Sequence, residues 1–327
     1  MSNIEDKQGR LIKYLRLSVT DRCNYKCRYC VPHDQDFKSI PCHDLLRYED
    51  LVFAVECFAE LGLERVRVTG GEPLVRKNIT HLLEALTAIK GIKEVSLTTN
   101  ATILPALAAK IAQAGVKRIN ISLDSLQEER YKYITGGFSL KNVTNGIAAA
   151  KEQGMTPIKI NCVAIRGFND DEILDFCGFA ANEDVQVRFI EFMPIGNSAD
   201  WKKENIITGK EIVKLVSSKY TVAELPKSSE AGPAKNYKLS NGATIGIITP
   251  MSDHFCTSCD KIRFTADGKL RPCLLSDKEV NAAEAVRSKD KEALRGLLMD
   301  ALSLKEPEHS IGMDKMKFRR TMSKIGG

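Results

Sequence analysis

The segment CNYKCRYC at residues 23–30 contains Cys23, Cys27 and Cys30, and it follows the strand-like run from Leu15 to Thr20. Thiolates at this spacing suit a soft metal or an iron-sulfur cluster. A cubane cluster held by three cysteines leaves one iron open to an outside ligand, which indicates chemistry rather than structural support. A zinc knuckle is the alternative, but structural zinc takes four ligands and the segment offers no fourth cysteine or histidine.

Composition limits the class of protein. The chain has 327 residues, 43% hydrophobic and 28% charged, enough for one large domain and a smaller one. Its net charge of +6 favours anionic partners only weakly and does not identify nucleic acid. No apolar run is long enough to span a membrane and no secretory signal is visible, so we expect a cytoplasmic protein.

The ten cysteines indicate metal or redox chemistry more than a disulfide framework. Six of them fall into two groups of three, and the other four stand alone along the chain. We predict that these four pack as small buried hydrophobes; they are Cys42, Cys57, Cys162 and Cys177.

Strand-like and helix-like periods alternate along residues 15–192. Six strand-like runs alternate with amphipathic segments, which predicts a parallel α/β sheet. The rhythm fades between residues 205 and 241. We therefore place a boundary near Thr208, with one domain at residues 1–207 and a carboxy-terminal domain at residues 208–327.

The predicted strands also carry a polar face. In five of them every second residue is polar, and this set includes the cations Arg16, Arg67 and Lys159. A closed barrel fills its interior with apolar side chains, so a polar inner face predicts a lumen that holds water and ligands. Converging cations predict a polyanion such as a phosphorylated substrate. The alternative is an outer face solvated between helices, but helices packed outside a parallel sheet need an apolar surface.

Two further segments have patterns typical of sites. GGEP at residues 70–73 follows a strand, where barrel loops build sites, although these residues also suit a simple turn. Cys256, Cys259 and Cys273 form a second group of three cysteines that begins with CxxC. From this segment alone, zinc with His254 as a fourth ligand is an equal alternative to an iron-sulfur cluster.

CxxxCxxC after a first strand, together with GGEP, resembles the radical S-adenosylmethionine enzymes. This resemblance implies that S-adenosylmethionine binds the open iron of a [4Fe-4S] cluster held by Cys23, Cys27 and Cys30. It also implies cosubstrate contacts at Tyr29, Gly71, Ser122 and Met193. On its chemistry alone, Tyr29 equally suits a packing role.

Two cysteine groups flanking a polar-lined α/β domain resemble the GTP 3′,8-cyclase family of molybdenum cofactor biosynthesis, also called molybdenum cofactor biosynthesis protein A. The shared marks span almost the whole chain: LRLSVTDRCNYKCRYC, VRVTGGEP, SLTTN, INISLD, RFIEFMP, the second cysteine group and the final Gly326-Gly327. The family fold is an incomplete (β/α)6 TIM-like barrel with a smaller carboxy-terminal α+β domain. The resemblance implies that this smaller domain carries a second [4Fe-4S] cluster on Cys256, Cys259 and Cys273.

The GTP contacts implied by the same resemblance include the cations that the alternation identifies independently. They are Arg16, Arg67, Thr98, Lys159, Lys261 and Arg263. Lys261 departs from the family pattern, which has arginine at this position. Lysine keeps the charge but lacks the planar fork that bonds two oxygens at once, so we expect a weaker contact there.

The implied activity is that of a lyase that converts GTP to (8S)-3′,8-cyclo-7,8-dihydroguanosine 5′-triphosphate. In the family a 5′-deoxyadenosyl radical removes the hydrogen at ribose C3′ and the C3′ radical attacks guanine C8, so no side chain is assigned as catalytic. Besides GTP, the expected partners are an electron donor and the next pathway enzyme, with a homodimer as an option. Neither nucleic acid nor a membrane is expected.

Two other functions stay open. One is a radical enzyme that modifies a peptide and holds auxiliary clusters on its carboxy-terminal cysteines. The other is a zinc-dependent, mildly basic protein that binds nucleic acid.

The chain ends in a cationic stretch at residues 315–327 that closes with Gly326 and Gly327. A disordered basic tail is the ordinary interpretation of such an end. Two glycines, however, make a chain thin enough to enter a crowded lumen, and the resemblance implies insertion toward the active site. We therefore predict that the tail positions the radical intermediates rather than the ground-state substrate.

Overall fold

The computed structural model describes residues 4–30, 38–195, 202–226, 232–309 and 319–327. Residues 315–318 of the cationic stretch lie outside these ranges. Within them, no helix combines the length and the apolar character needed to cross a membrane.

The described strands form a single sheet of twelve. In chain order they are β1 (Tyr14–Ser18), β2 (Arg65–Thr69), β3 (Glu94–Thr99), β4 (Arg118–Ser122), β5 (Ile158–Ala164), β6 (Gln186–Glu191), β7 (Val222–Glu224), β8 (Lys235–Leu239), β9 (Thr244–Ile248), β10 (Lys261–Phe264), β11 (Lys269–Arg271) and β12 (Val280–Asn281).

Helices connect most of these strands. The α-helices are α1 (Tyr48–Glu60), α2 (Ile79–Ala88), α3 (Leu104–Gln113), α4 (Glu128–Thr135), α5 (Leu140–Glu152), α6 (Ile173–Asn182), α7 (Gly209–Ser217), α8 (Ala283–Arg287), α9 (Lys291–Ser303) and α10 (Met322–Ile325). Short 3₁₀ helices lie at Pro73–Val75, Asp170–Glu172, Lys203–Asn205 and Cys256–Ser258.

The strands follow the order β12-β11-β10-β1-β2-β3-β4-β5-β6-β9-β8-β7. Strands β1 to β6 are neighbours in chain order and pair in parallel, which confirms the predicted α/β partial barrel. Later strands extend both ends of this set, since β10 pairs in parallel with β1 and β9 with β6. Because these strands continue the same sheet, the domain boundary near Thr208 stays a prediction.

Strand alternation separates the core from the lumen. Leu15 and Leu17 of β1 and Val66 and Val68 of β2 have no exposed surface, and they share one core cluster with apolar residues of α1, α2 and α3. Arg16 lies between the two leucines and therefore points to the opposite face of the sheet. The helices pack against the apolar face of the sheet, and the polar face is left to line the lumen where a ligand can bind.

Helix α4 is an element that the hydrophobic pattern did not predict. It ends at Gly136, which has a φ of 83°, a left-handed conformation that glycine adopts without strain. The carbonyls of Thr135 and Ile134 accept hydrogen bonds of 3.1 and 3.0 Å from the N–H groups of Lys26 and Arg28. The end of α4 thus anchors the first cysteine segment.

The prediction for the isolated cysteines is confirmed at three positions and wrong at one. Cys57, Cys162 and Cys177 are buried in helices and a strand, as expected. Cys42 is exposed and accepts a hydrogen bond of 2.7 Å from Arg22. It lies in a turn, where no periodic apolar pattern directs a side chain into the core.

Candidate functional site

The first cysteine group lies in the loop that follows β1. Cys23, Cys27 and Cys30 are all partly buried free thiols. Burial raises the pKa of Cys23 to about 11 and that of Cys30 to about 12. Thiolates here need a positive counter-charge, and the ferric and ferrous ions of an iron-sulfur cluster supply one. The donor set therefore fits such a cluster.

Gly71 packs directly against the backbone of this cysteine segment. Its N–H donates a hydrogen bond of 2.8 Å to the carbonyl of Thr20. A Cβ at this position would lie 2.4 Å from the carbonyl oxygen of Arg22, so only glycine fits. The neighbouring Glu72 is buried and accepts hydrogen bonds from Thr99 and from the backbone of Asn100, both at 2.7 Å. GGEP thus ties the ends of β2 and β3 to the cysteine loop.

The other residues predicted to contact S-adenosylmethionine lie on one large cavity; they are Tyr29, Ser122 and Met193. The Tyr29 hydroxyl donates a hydrogen bond of 2.7 Å to the carboxylate of Asp124. Burial raises the pKa of Asp124 to about 6, and the backbone N–H of Val163 donates to its other oxygen at 2.8 Å. Tyr29 is therefore held in place by a partner at the end of β4.

Cations surround the same cavity. Arg16 of β1 lies opposite Arg263 of β10 on one side and opposite Arg67 of β2 on the other, so three neighbouring strands present arginine at one level. Lys159 and Arg188 also line the cavity. Within the described ranges, none of these five side chains forms an ion pair with an Asp or Glu side chain. Unpaired, crowded cations create a strong field for an anionic ligand.

The crowding changes how readily these groups hold a proton. Burial, followed by the charge of Arg67, lowers the pKa of Arg16 to about 10 and that of Arg188 to about 9. Burial and then Arg188, Arg118 and Arg67 lower the pKa of Lys159 to about 7. A bound polyanion would offset both the burial and the repulsion.

Several buried polar atoms at the cavity have no hydrogen-bond partner among the described residues. They are the hydroxyls of Tyr14 and Thr98, the amide oxygen of Asn161, Nε of Arg16 and Arg188, and Nδ1 of His309. Buried polar groups in folded proteins are almost always paired. Six such atoms around one cavity indicate a polar ligand that supplies the missing partners.

The predicted GTP contacts Arg16, Arg67, Thr98, Lys159, Lys261 and Arg263 all line this cavity. The ammonium of Lys261 donates a hydrogen bond of 2.7 Å to Asp260, and the same carboxylate accepts one of 2.6 Å from Arg65. Lys261 thus shares one carboxylate with Arg65, and its weaker contact with GTP stays a prediction.

Arg188 is a cavity residue that the sequence interpretation missed. It donates a hydrogen bond to the amide oxygen of Asn120 and is almost fully buried. The signal was present, because Arg188 and Gln186 alternate with the apolar Val187 and Phe189 along β6. Period-2 alternation in this strand therefore places Arg188 on the polar face of the sheet, like the other cavity cations.

The second cysteine group lies on the same cavity, since Cys256, Cys259 and Cys273 all line it. Burial raises the pKa of Cys259, but the charges of Lys305 and Lys261 lower it by more. Within the described residues, no three or more His, Cys, Asp or Glu side chains are gathered so as to hold a metal ion. A cubane cluster differs from a single ion, because each cysteine binds a different iron and the sulfur atoms need not gather around one point. We therefore assign the two cysteine groups to clusters from their donor chemistry and spacing.

His254, the alternative fourth ligand, lies beside another histidine. Its ring centre is 4.1 Å from that of His309, and its Nδ1 is 3.9 Å from the carboxylate of Glu308. Both histidines line the cavity.

The carboxyl terminus enters the cavity. Gly327 lines it, and its backbone oxygen accepts a hydrogen bond of 3.3 Å from Arg16. Gly326 has a φ of 70°, and a Cβ there would lie 2.4 Å from the Thr69 hydroxyl. Both the conformation and the space therefore require glycine at this position.

Family models and curated relatives agree along the chain. The Radical SAM superfamily matches residues 17–180, and Molybdenum Cofactor Synthesis C matches residues 185–311. The GTP 3′,8-cyclase of Moorella thermoacetica is 45% identical over 99% of this chain and 100% of its own length. That of Pelotomaculum thermopropionicum is 41% identical, also over 99% of this chain and 100% of its own length.

Solved structures share the fold at low identity. Streptococcus suis SuiB bound to precursor peptide SuiA superposes with a TM-score of 0.65 and 17% identity, covering 91% of this chain and 68% of SuiB. The enzyme anSMEcpe with bound AdoMet gives a TM-score of 0.62 and 18% identity, covering 90% of this chain and 78% of its own. At such identities the likeness shows the fold alone. The full-length identity to the curated relatives is decisive, and the chain belongs to the GTP 3′,8-cyclase family of radical S-adenosylmethionine enzymes.

Proposed function

We propose that this chain is an enzyme that converts GTP to (8S)-3′,8-cyclo-7,8-dihydroguanosine 5′-triphosphate in molybdenum cofactor biosynthesis. Its cofactors are S-adenosylmethionine and two [4Fe-4S] clusters, as the family requires. One observation carries the proposal. Five cations without an Asp or Glu partner among the described residues surround a cavity that also borders the second cysteine group and the residues around Tyr29.

The cationic residues bind the triphosphate in this proposal. Arg67, Lys159 and Arg188 form one part of the cavity wall, and their charges match the phosphates of a nucleotide. Arg16 and Arg263 also line the cavity, and both contact the tail. We assign the hydroxyl of Thr98 and the amide oxygen of Asn161 to the ribose and base, because both atoms lack partners.

The cosubstrate side is assigned in the same way. Cys23, Cys27 and Cys30 hold the first cluster, and Tyr29, Gly71, Ser122 and Met193 contact S-adenosylmethionine. When bound there, the cosubstrate supplies the radical that starts the reaction at ribose C3′. The protein holds C3′ near that radical and excludes water, and Asp124 keeps Tyr29 oriented.

The remaining assignments follow from the chemistry of the reaction. The first cluster must be reduced before each cleavage, so an electron donor is a partner, and the product passes to the next pathway enzyme. The domain division near Thr208 stays a prediction from the fading β/α rhythm of the sequence, and a homodimer also stays a prediction. Ten cysteines without a described disulfide suit a reducing, cytoplasmic location.

The test is to incubate reduced protein with S-adenosylmethionine and either GTP or candidate peptides. We expect 5′-deoxyadenosine and the cyclised nucleotide only with GTP. Cleavage that depends on a peptide and not on GTP would favour the peptide-modifying alternative. Iron and zinc analysis after anaerobic purification is the second measurement, since a colourless protein with zinc and no iron would favour the nucleic-acid binder.

A further inference from the structure

Lys305 is a buried lysine next to the second cysteine group. It follows α9, and only 4% of its surface is exposed. Its ammonium donates hydrogen bonds of 2.9 Å to the carbonyl of Lys261 and 2.9 Å to that of Pro272. The third contact is to the sulfur of Cys259, at 3.5 Å. All three donor positions of the ammonium are thereby used.

These contacts join the chain segments that carry two cysteines. Lys261 lies two residues after Cys259, and Pro272 immediately precedes Cys273. Because one ammonium binds both segments, it holds them next to each other.

The charge of Lys305 is not matched by a carboxylate. No described Asp or Glu lies within ion-pair distance of its ammonium. A buried charge without a counter-charge is costly, so the site calls for an anion beside the ammonium. The Cys259 sulfur, as a thiolate that ligates a cluster, is the anion that the geometry offers.

The residues that follow Lys305 are also connected to the second cysteine group, through Arg10. Arg10 donates to the carbonyls of Cys256 and Pro307, at 2.8 and 3.1 Å. Lys305 therefore contacts the Cys259 sulfur, and Arg10 connects the residues that follow it to the backbone of Cys256.

We propose that Lys305 is a positioning residue for the second cluster, which fixes the Cys259 and Cys273 loops and raises the reduction potential of that cluster. The inference rests on the proposed function, because it requires a cluster on Cys256, Cys259 and Cys273. Reduction adds negative charge to a cluster, so a fixed cation at a ligating sulfur favours the reduced form. A hydrogen bond to the sulfur acts in the same direction.

The experiment uses the full chain with Cys23, Cys27 and Cys30 all replaced by alanine, so that only the second cluster is reconstituted. Into this background we place Lys305→Met, Lys305→Gln and Lys305→Arg. Lys278→Met is the matched control, because Lys278 is exposed and pairs with Glu306, the neighbour of Lys305. The two readouts are the rate of cluster loss to an iron chelator and the midpoint potential from a redox titration followed by electron paramagnetic resonance.

We expect Lys305→Met to speed cluster loss roughly 10-fold or more and to lower the midpoint potential. Lys305→Arg keeps the charge and should retain a potential near that of the background, whereas Lys305→Gln keeps a donor without the charge and should fall between Met and Arg. The control should change neither readout. This order of potentials separates a charge effect from a general loss of folding.

Two outcomes would overturn the inference, and they differ in whether the proposed function also fails. If the background protein binds a cluster but Lys305→Met and Lys305→Gln match the control in both readouts, only the role of Lys305 is wrong. If the background protein itself binds no iron, the second cluster is absent and the proposed function fails with the inference.

Discussion

The guanidinium of Arg263 donates a hydrogen bond of 2.6 Å to the carbonyl oxygen of Gly326. Arg263 is also one of the residues that the family resemblance assigns to GTP, and Arg16, the second arginine on the tail, is another. The tail and the proposed substrate therefore share two cations. These shared contacts make the tail a part of the cavity wall.

Deleting Gly326 and Gly327 should leave the fold, the iron content and the GTP dissociation constant nearly unchanged while greatly lowering cyclisation. The deletion removes backbone oxygens from Arg16 and Arg263 but no cation, so ground-state binding is preserved. Product formation and 5′-deoxyadenosine are measured together, and we expect cleavage to exceed cyclisation.

A point substitution tests the same idea more finely. Gly326→Ala should reduce cyclisation, because the new Cβ would lie 2.4 Å from the Thr69 hydroxyl and the backbone has a φ of 70°. Gly296→Ala is the control, since no atom lies within 4 Å of a Cβ there. Full activity in both the truncated protein and Gly326→Ala would show that the tail has no role.

Arg188→Met should weaken GTP binding by roughly 10- to 100-fold, as expected for the loss of a charge-assisted hydrogen bond to phosphate. Arg188 lines the cavity and has no carboxylate partner among the described residues. Arg295→Met on α9 is the control, because Arg295 pairs with Glu60 away from the cavity. Equal affinities for the two variants, measured by calorimetry, would remove Arg188 from the binding site.

GTP binding should weaken as the pH rises above about 7. The pKa of Lys159 is lowered to about 7, by burial first and then by neighbouring cations, so the free enzyme carries this lysine largely neutral at higher pH. Bound phosphates favour the ammonium form and raise its pKa, so binding takes up a proton. The dissociation constant should rise with pH and approach about tenfold per unit at the upper end of the range.

The variant Lys159→Arg separates this effect from the titration of GTP itself. Arginine stays protonated more readily than lysine, so the variant should lose most of the pH dependence between pH 7 and 8.5 (roughly) while keeping its affinity near pH 7. Calorimetry in two buffers with different ionisation enthalpies measures the proton uptake directly. An identical slope in both proteins would exclude Lys159 as the titrating group.

The two cysteine groups should fail in different ways. Cys27→Ala should abolish 5′-deoxyadenosine formation, because the first group lies next to Gly71 and the GGEP loop. Cys273→Ala should retain part of the cosubstrate cleavage but lose its coupling to GTP, because this cysteine lies on the cationic cavity. Normal GTP turnover by Cys273→Ala would contradict the role given to the second cluster.

The sequence by itself determined the parts of this protein that depend on local spacing. Cysteine spacing identified both thiol groups, and period-2 alternation identified the lumen cations Arg16, Arg67 and Lys159. Helix and strand periods predicted β1 to β6 in order, since each buries its apolar side within a short stretch of chain. These features are encoded between near neighbours, so they can be found without coordinates.

Only the tertiary structure decided which distant residues meet. β10 joins β1, although more than 240 residues separate them, and this pairing brings Arg263 opposite Arg16. Helix α4 has a polar sequence, so its anchoring of the cysteine loop through Thr135 was not predicted. The contact of Lys305 with Cys259 depends on the packing of the chain after α9 against the loop before β10. Such contacts arise from long-range burial and pairing, for which no sequence period exists.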